Sequence, residues 1–359
     1  MRILQVITSL QTGGAEKIVV DLSLKLKSRE HEVDVVAFAG GPSIFKQALI
    51  DGGCGVIEFS QTDSVYNFKH VKRLKRLMAH YDIVHTHNTS PQLFAAMAKG
   101  NCKAKLVTTE HSTNNRRRSI WGYRSIDRWM YSRYDKIVCI SDIAKEKLLE
   151  HIGNNYQQKV LTINNGVDVQ RFYLADEAPN LRQADTFVTV MVAGFREAKD
   201  QDTLIRAIAS LPNQYQLWLV GDGVRRDALE AVIASEGVAH RVKLLGIRSD
   251  VPQVLKAADV VVMSSHWEGL SLSNIEGMSS GRPFIASDVD GLREVTKGYG
   301  VLFPHEDAKA LAGIIQKLHD DKAYYDEVAE KCYQRAMMFD IEKMVDGYEA
   351  VYQELMHSK

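Results

Sequence analysis

Hydrophobic positions along the chain fall into short β-branched runs, separated by longer stretches in which apolar residues recur at helical spacing. Ile3–Thr8 reads as a buried strand and Ala15–Lys27 as a helix behind Gly13-Gly14. Glu32–Ala39 is the next strand. Phe68–His80 reads as a basic amphipathic helix with Val71, Leu74, Leu77 and Met78 on one side. Ile83–Thr86, Lys105–Thr109 and Lys136–Ile140 are further short strands. Ala144–His151 is a helix with Ser141 or Asp142 as its cap, and Val160–Ile163 is a strand ended by the turn Asn164-Asn165-Gly166. Strands alternating with helices specify βαβ units and a mostly parallel sheet.

The alternation pauses over residues 166–185, a polar stretch with Pro179 that reads as an interdomain linker. A second series follows. Its strands are Phe187–Ala193, Gln216–Val220, Val242–Leu245, Val260–Ser264 and Pro283–Ser287. Its helices are Leu204–Leu211, Arg225–Glu236, Val251–Ala257 and Asn274–Ser280. Three helices end the chain: Ala308–His319, Lys322–Met338 and Ile341–Met356. The expectation is α/β, with two Rossmann-like doubly wound domains over 1–170 and 186–340. The last helix, within 341–359, is expected to pack back onto the first domain. In such folds ligands bind beyond the carboxyl ends of the strands, so the loops there are the places to look for chemistry.

Composition adds limits. A chain of 359 residues suggests about two domains. With 25% charged and 45% hydrophobic residues, wholesale disorder is excluded. No apolar run approaches the roughly 18 residues of a membrane span, and the apolar start is too short for a signal peptide, so a cytoplasmic location is expected. Cys54, Cys102, Cys139 and Cys332 lie far apart without a CxxC, which argues against a zinc site or a disulfide framework. Net charge is zero, yet residues 1–165 hold 24 basic against 15 acidic residues, and the remainder 21 against 30. The basic front half suits an anionic partner, either a phosphorylated substrate or the inner face of a membrane. The plainer alternative is two domains with different surfaces.

Several loops carry candidate chemistry. Gly13 and Gly14 open a helix whose N-terminus can receive phosphate, although the loop is neither GxGxxG nor a Walker sequence. His85-Thr86-His87 places two imidazoles on one strand face, too few for a metal, with a structural or substrate-lining role preferred. Glu110-His111 ends a strand, where the histidine can donate to a substrate hydroxyl or to developing charge. Residues 115–129 interleave arginines with Trp121, Tyr123 and Trp129, which favours anionic lipid or acceptor phosphate over nucleic acid. Arg196 and Lys199 suit a diphosphate. The strand end Gly221-Asp222-Gly223 offers a glycine turn for a base or ribose, and Arg225 and Arg226 beyond it read as surface residues. In His266–Gly277, Glu268 and Glu276 flank a short loop that opens a helix. Backbone N–H groups over Gly269, Leu270, Ser271, Leu272 and Ser273 can face a phosphate or sugar. Ser273-x-x-Glu276 also fits a capping box. Asp288-Val289-Asp290 reads as turn chemistry, and no metal is expected.

Together these pieces resemble the retaining, nucleotide-sugar-dependent glycosyltransferases of family 4 (group 1), over nearly the whole chain. The resemblance rests on Gly13-Gly14-Ala15-Glu16, His111, Asn165-Gly166-Val167-Asp168, the Lys199 segment and Gly221-Asp222-Gly223. Above all it rests on Glu268 and Glu276 in an E-x7-E spacing before Gly281-Arg282-Pro283. It implies the GT-B fold, two Rossmann-like domains facing a cleft. It implies that Glu268 holds the donor sugar's hydroxyls, Glu276 the ribose, and Arg196 and Lys199 the diphosphate, with Gly14 near the distal phosphate and His111 beside the sugar. One departure is Gly194, where the family usually carries an arginine; Arg196, two residues along, is the substitute on offer. The implied activity is transfer of a hexose or N-acetylhexosamine from a UDP- or GDP-linked donor to a glycan or lipid-linked acceptor. The transferase would need neither metal nor further cofactor, and would lie in the cytoplasm or peripherally on the membrane. The alternatives are a nucleotide-sugar epimerase of the same fold and a non-catalytic nucleotide-sugar-binding protein.

Overall fold

The computed structural model describes residues 1–11, 13–112, 118, 120, 122–268 and 272–357. The chain forms two compact units, one of Met1–Gly166 with Ile341–Lys359 and the other of Val167–Asp340.

The first unit holds a seven-stranded, all-parallel sheet in the order β3-β2-β1-β4-β5-β6-β7. Its strands are β1 (Arg2–Ser9), β2 (Glu32–Ala39), β3 (Gly55–Ser60), β4 (Ile83–His87), β5 (Lys105–Glu110), β6 (Lys136–Cys139) and β7 (Val160–Thr162). Helices α1 (Gly14–Ser28), α2 (Ile44–Asp51), α3 (Lys69–Met78), α4 (Thr89–Ala98), α5 (Tyr123–Ser132) and α6 (Asp142–Ile152) link them. Ser141 caps α6 by accepting from the Ala144 N–H. On α3 the buried stripe is His70, Leu74 and Met78, with Val71 and Leu77 half-buried beside it. Burial on both faces explains the near-continuous apolar run of β1 and encloses even the polar His85, Thr86 and His87 of β4.

Three elements of this unit carry no clear sequence signal. Helix α4 is buried on most sides, through Pro91, Gln92, Phe94, Ala95, Ala96 and Ala98, so it shows no polar face. Helix α2 buries only Leu49, and β3 is a half-buried edge strand.

The second unit holds a six-stranded parallel sheet in the order β10-β9-β8-β11-β12-β13. Its strands are β8 (Phe187–Val192), β9 (Tyr215–Val220), β10 (Val242–Gly246), β11 (Val260–Met263), β12 (Phe284–Ser287) and β13 (Val301–Phe303). Its helices are α7 (Val169–Tyr173), α8 (Gln201–Ala209), α9 (Arg226–Ser235), α10 (Val251–Ala257), α11 (Leu272–Ser279), α12 (Arg293–Thr296), α13 (Ala308–Asp320) and α14 (Lys322–Met337).

The linker reading of 166–185, and with it the boundaries 1–170 and 186–340, is corrected by this unit. Asp168 caps α7, and Val167, Val169, Phe172 and Ala178 all lie in the second core. Four apolar residues in so short a stretch are too few to show a period. Gly166 marks the crossing for a steric reason: a Cβ there would stand 2.7 Å from the Ile341 Cα. From Ile341 the chain belongs to the first unit again, as α15 (Ile341–His357), which buries Tyr348 and Tyr352.

Candidate active site

In each sheet the strand order reverses once, between β1 and β4 in the first and between β8 and β11 in the second. Such reversal points open a crevice at the carboxyl ends, and the candidate residues of each unit gather there.

In the first unit, β1 leads to Gly13, which caps α1 with extended backbone. A Cβ on Gly14 would meet nothing within 4 Å among the described residues. A Cβ on Gly13 would strike the Glu16 carboxylate, which already occupies this positive helix end. Glu16 is half-buried and accepts a hydrogen bond from Asn88; burial pushes its carboxyl up from the usual range.

Strands β4 and β5 deliver a row of imidazoles. Period two brings the His85 and His87 rings to 4.1 Å between centroids, both fully buried. His85 bonds Tyr352 OH at 2.7 Å and Thr109 Oγ1 at 2.8 Å, and Thr109 Oγ1 also bonds Tyr348 OH at 3.0 Å. His87 Nε2 donates to Gln5 Oε1 at 2.8 Å, and His87 Nδ1 lies 2.8 Å from His111 Nε2. Burial holds all three histidines neutral, with His111 lowered to about 4 and His85 and His87 well below their ordinary value. A neutral His87 that donates through Nε2 must accept at Nδ1. His111 therefore spends its Nε2–H on His87 and keeps a lone pair at Nδ1. The donor role expected of His111 thus depends on the orientation of the Gln5 amide, whose Nε2 has no hydrogen-bond partner among the described residues and whose opposite orientation reverses both tautomers. Glu110 points the other way, accepting from Tyr131 OH at 2.5 Å, Gln92 Nε2 at 2.6 Å and Arg118 at 3.3 Å.

In the second unit, residues 198–200 run beside 264–266. Lys199 bridges Ser265, His266 N–H donates to Ala198 O at 3.0 Å, and Asp200 N–H to Ser264 O at 3.1 Å. This pairing brings Lys199 Nζ onto Glu268 Oε2 in an ion pair whose side chains are only 15% and 17% exposed. Arg196 is exposed, with no ion pair among the described residues. Its Nε lies 3.5 Å from where a Cβ on Gly194 would stand, so the side chain lies over that glycine.

The glycine turn after β9 is explained by backbone packing. Gly221 has φ +139°, and a Cβ there would stand 2.1 Å from Ala193 O. Asp222 O accepts from Phe195 N–H at 3.0 Å, and the exposed Asp222 carboxylate faces Arg226 at 3.5 Å. Arg225 is not a surface residue: it pairs with Asp202 at 2.8 Å and reaches Lys199 O.

Helix α11 begins at Leu272, so Ser273 lies inside it and cannot be the N-cap of a box with Glu276. Glu276 is half-buried on the second turn. Gly269, Leu270 and Ser271 lie outside the described residues, as do Arg116, Arg117 and Trp121 of the basic stretch. Asp288 and Asp290 both pair with Arg293, at 2.5 and 2.9 Å, in keeping with a turn.

Buried polar atoms without partners gather at this end: Asp200 Oδ2, Gln201 Oε1, Ser264 Oγ, Ser265 Oγ and both amide atoms of Asn274. Such atoms are costly unless a ligand or water meets them. Sequence reasoning missed Asn274 and Asp200, since nothing local distinguishes them from ordinary helix-start residues.

Two doubly wound units, one with cations and a carboxylate at its reversal point and one with neutral hydrogen-bonding groups, define a two-domain α/β protein of the GT-B class. Family models divide the chain between them: one for Glycosyltransferase Family 4 matches residues 12–171, and one for glycosyl transferases group 1 matches residues 174–337. The chain belongs to this glycosyltransferase family. It is 26% identical to a UDP-Gal:alpha-D-GlcNAc-diphosphoundecaprenol alpha-1,3-galactosyltransferase of Escherichia coli, over 78% of this chain and 77% of that one. It is 30% identical to the lipopolysaccharide core biosynthesis glycosyltransferase LpsE of Rhizobium meliloti, over 60% and 63%. In fold it is similar to Anabaena HepE, solved with UDP, at a TM-score of 0.83 and 24% identity, covering 99% of this chain and 100% of that one.

Proposed function

We propose that the chain transfers a hexose or N-acetylhexosamine from a UDP-linked donor to a glycan or lipid-linked acceptor, with retention of anomeric configuration and with no metal in the reaction. The observation that carries this reading is the Lys199–Glu268 pair at the second reversal point. A nucleotide diphosphate replaces the carboxylate as the partner of Lys199, with Arg196 reaching the same phosphates from over Gly194. Glu268, released, turns to the sugar's hydroxyls, and Glu276 takes the ribose. As the sugar–phosphate bond breaks, negative charge builds on the diphosphate and the two cations neutralise it. The anomeric carbon becomes cationic, and the acceptor hydroxyl attacks on the face the diphosphate leaves, passing its proton to the departing phosphate oxygen, which retains configuration. His111 offers Nδ1 to a sugar hydroxyl. Uridine is favoured over guanosine because HepE was solved with UDP and with UDP-glucose.

A lipid-linked acceptor is supported by α5. Ile120, Tyr123, Ile126 and Trp129 recur at helical spacing and are 38–52% exposed, beside Arg124 and Arg128. An exposed apolar row flanked by arginines suits a peripheral place on an anionic membrane. No helix among the described residues is long and apolar enough to cross one.

The test is incubation of the purified chain with labelled UDP-sugars, with and without a diphospholipid-linked glycan. Label transferred to the glycan with the donor's anomeric configuration supports the proposal. Isomerised donor would make it an epimerase, and binding without turnover a nucleotide-sugar-binding protein.

A further inference from the structure

A second cluster at the same end of the second unit plays no part in that reading and has the make-up of a metal centre. Asp200, His266 and His305 present ligand atoms that all lie within 4.8 Å of one another. His266 Nδ1 is 2.9 Å from His305 Nε2. Glu306 Oε1 is 3.3 Å from the first of these nitrogens and 4.0 Å from the second. A tetrahedral ion with bonds of about 2.0–2.1 Å spaces its ligands about 3.3 Å apart, so these groups are near ligating distance before any ion enters.

An independent observation concerns Asp200, which is only 2% exposed. Its Oδ1 accepts from the Thr203 N–H at 3.1 Å and caps α8, while Oδ2 has no hydrogen-bond partner among the described residues. The residue lines one pocket with His266 and Glu306. Of the two arginines lining the same pocket, Arg225 is committed to Asp202 at 2.8 Å and Arg206 faces Glu236 at 3.7 Å. A buried carboxylate oxygen left unpaired beside two imidazoles needs a positive partner.

We infer that Asp200, His266 and His305 bind one divalent transition-metal ion of the zinc class, with water in the fourth place. Two imidazoles and a carboxylate suit zinc better than magnesium or calcium, which prefer all-oxygen shells. Asp200 as a ligand and the Glu306 carboxylate beside the histidines balance the ion's charge. The imidazole that donates in the His266–His305 hydrogen bond shifts its proton to its other ring nitrogen and frees a lone pair for the ion. Asp200 directly follows Lys199, His266 stands just before Glu268, and His305 and Glu306 follow β13. The ion thus pins three loops and steadies the backbone that carries the donor pair, without touching the reacting bond. The ligands come from distant loops, which is why cysteine spacing and the Asp288-Val289-Asp290 motif gave no sign of them.

The experiment is equilibrium dialysis of chelator-stripped chain against Zn2+, with metal analysis, thermal melting and Co2+ as a visible-absorbing probe. One zinc per chain, a melting temperature raised by zinc and a Co2+ ligand-field band are expected. His305→Ala weakens binding tenfold or more and abolishes the zinc-dependent melting shift. Asp200→Asn does the same while keeping its helix cap, because asparagine caps as well as aspartate. No stoichiometric zinc, or zinc bound equally well by His305→Ala, overturns the site. These readouts need no sugar transfer, so a failure of the proposed activity and a failure of the metal site are separable.

Discussion

The two reversal points differ in what they hold. In the first unit a row of neutral groups, Gln5, His87 and His111, is joined by hydrogen bonds of 2.8 Å. In the second, Lys199, Glu268 and Arg196 bring full charges to the surface of the sheet. Burial explains the contrast. The histidines are enclosed by β1, β4, β5 and α15, so their charged forms are excluded and they serve by orientation. The charges that follow β8 and β11 are half-buried at Lys199 and Glu268 and exposed at Arg196, and each half-buried charge has an opposite charge as its partner, which an arriving anion can replace. In the proposed reaction the neutral site would align hydroxyls and the charged one would stabilise a leaving diphosphate.

The sharpest test of that contrast is kinetic. Lys199→Ala removes a charge-assisted contact worth roughly 1.5–3 kcal/mol, so kcat/KM for the donor falls about 10- to 150-fold. His111→Ala removes a neutral hydrogen bond worth about 0.5–1.5 kcal/mol, so the loss is about 2- to 13-fold. Steady-state kinetics on both variants decide the matter. A larger loss for His111→Ala would mean that the imidazole carries a proton, and the contrast would collapse.

Acid should expose the neutral row next. The folded-state values of His85, His87 and His111 lie below the ordinary 6.5, so the unfolded chain binds more protons as pH falls through that value. Stability is therefore full above about pH 6.5 and declines as pH drops toward 4, by up to about 1.4 kcal/mol per pH unit for each histidine. Urea midpoints at pH 7, 6 and 5 measure it, and His85→Gln should flatten the slope. An unchanged midpoint down to pH 5 would show that these imidazoles are hydrated and free to charge.

Much of this architecture was legible in the residues. Strong periodic runs such as Glu32–Ala39 and Val251–Ala257 fold with the bounds their pattern gives. Elements without contrast between faces, such as α4, were not legible. The functional residues divide the same way. Glu268 and Lys199 stand on strand ends and could be picked out singly, but their mutual pairing depends on residues 198–200 lying beside 264–266, which no local pattern encodes. The tautomer of His111 likewise depends on Gln5, from a strand far away in sequence. The capping box at Ser273 failed because one more residue of helix precedes it.

Helix α5 extends the contrast from sites to surfaces. Its exposed Ile126 and Trp129 beside Arg124 and Arg128 should bind vesicles containing anionic lipid, and more weakly as salt rises from 50 to about 300 mM, because charges at a surface are screened over roughly 10 Å. Trp129→Ala should reduce co-sedimentation several-fold without altering the melting temperature, since the indole is 46% exposed. Equal binding to neutral and anionic vesicles, or none, would return α5 to an ordinary solvated face.

The smallest effect is expected at Arg196, where the charged site is most open to water. Exposed ionic contacts are worth about 0.2–1 kcal/mol, so Arg196→Ala should lower kcat/KM for the donor by no more than about fivefold, through a higher KM and a slightly lower kcat. The side chain's place over Gly194 supplies a second arm to this test. A Cβ at 194 would meet Arg196 Nε at 3.5 Å and Asp222 O at 3.7 Å, which is ordinary contact once Arg196 is gone. Gly194→Arg in the Arg196→Ala background therefore puts a guanidinium back above the same turn and should restore the donor KM. In the native background the two guanidinium groups compete for one space, and little gain is expected. If Arg196→Ala leaves the donor KM unchanged while Lys199→Ala raises it, Lys199 holds the diphosphate alone and the charged site is half of what the geometry assigns to it.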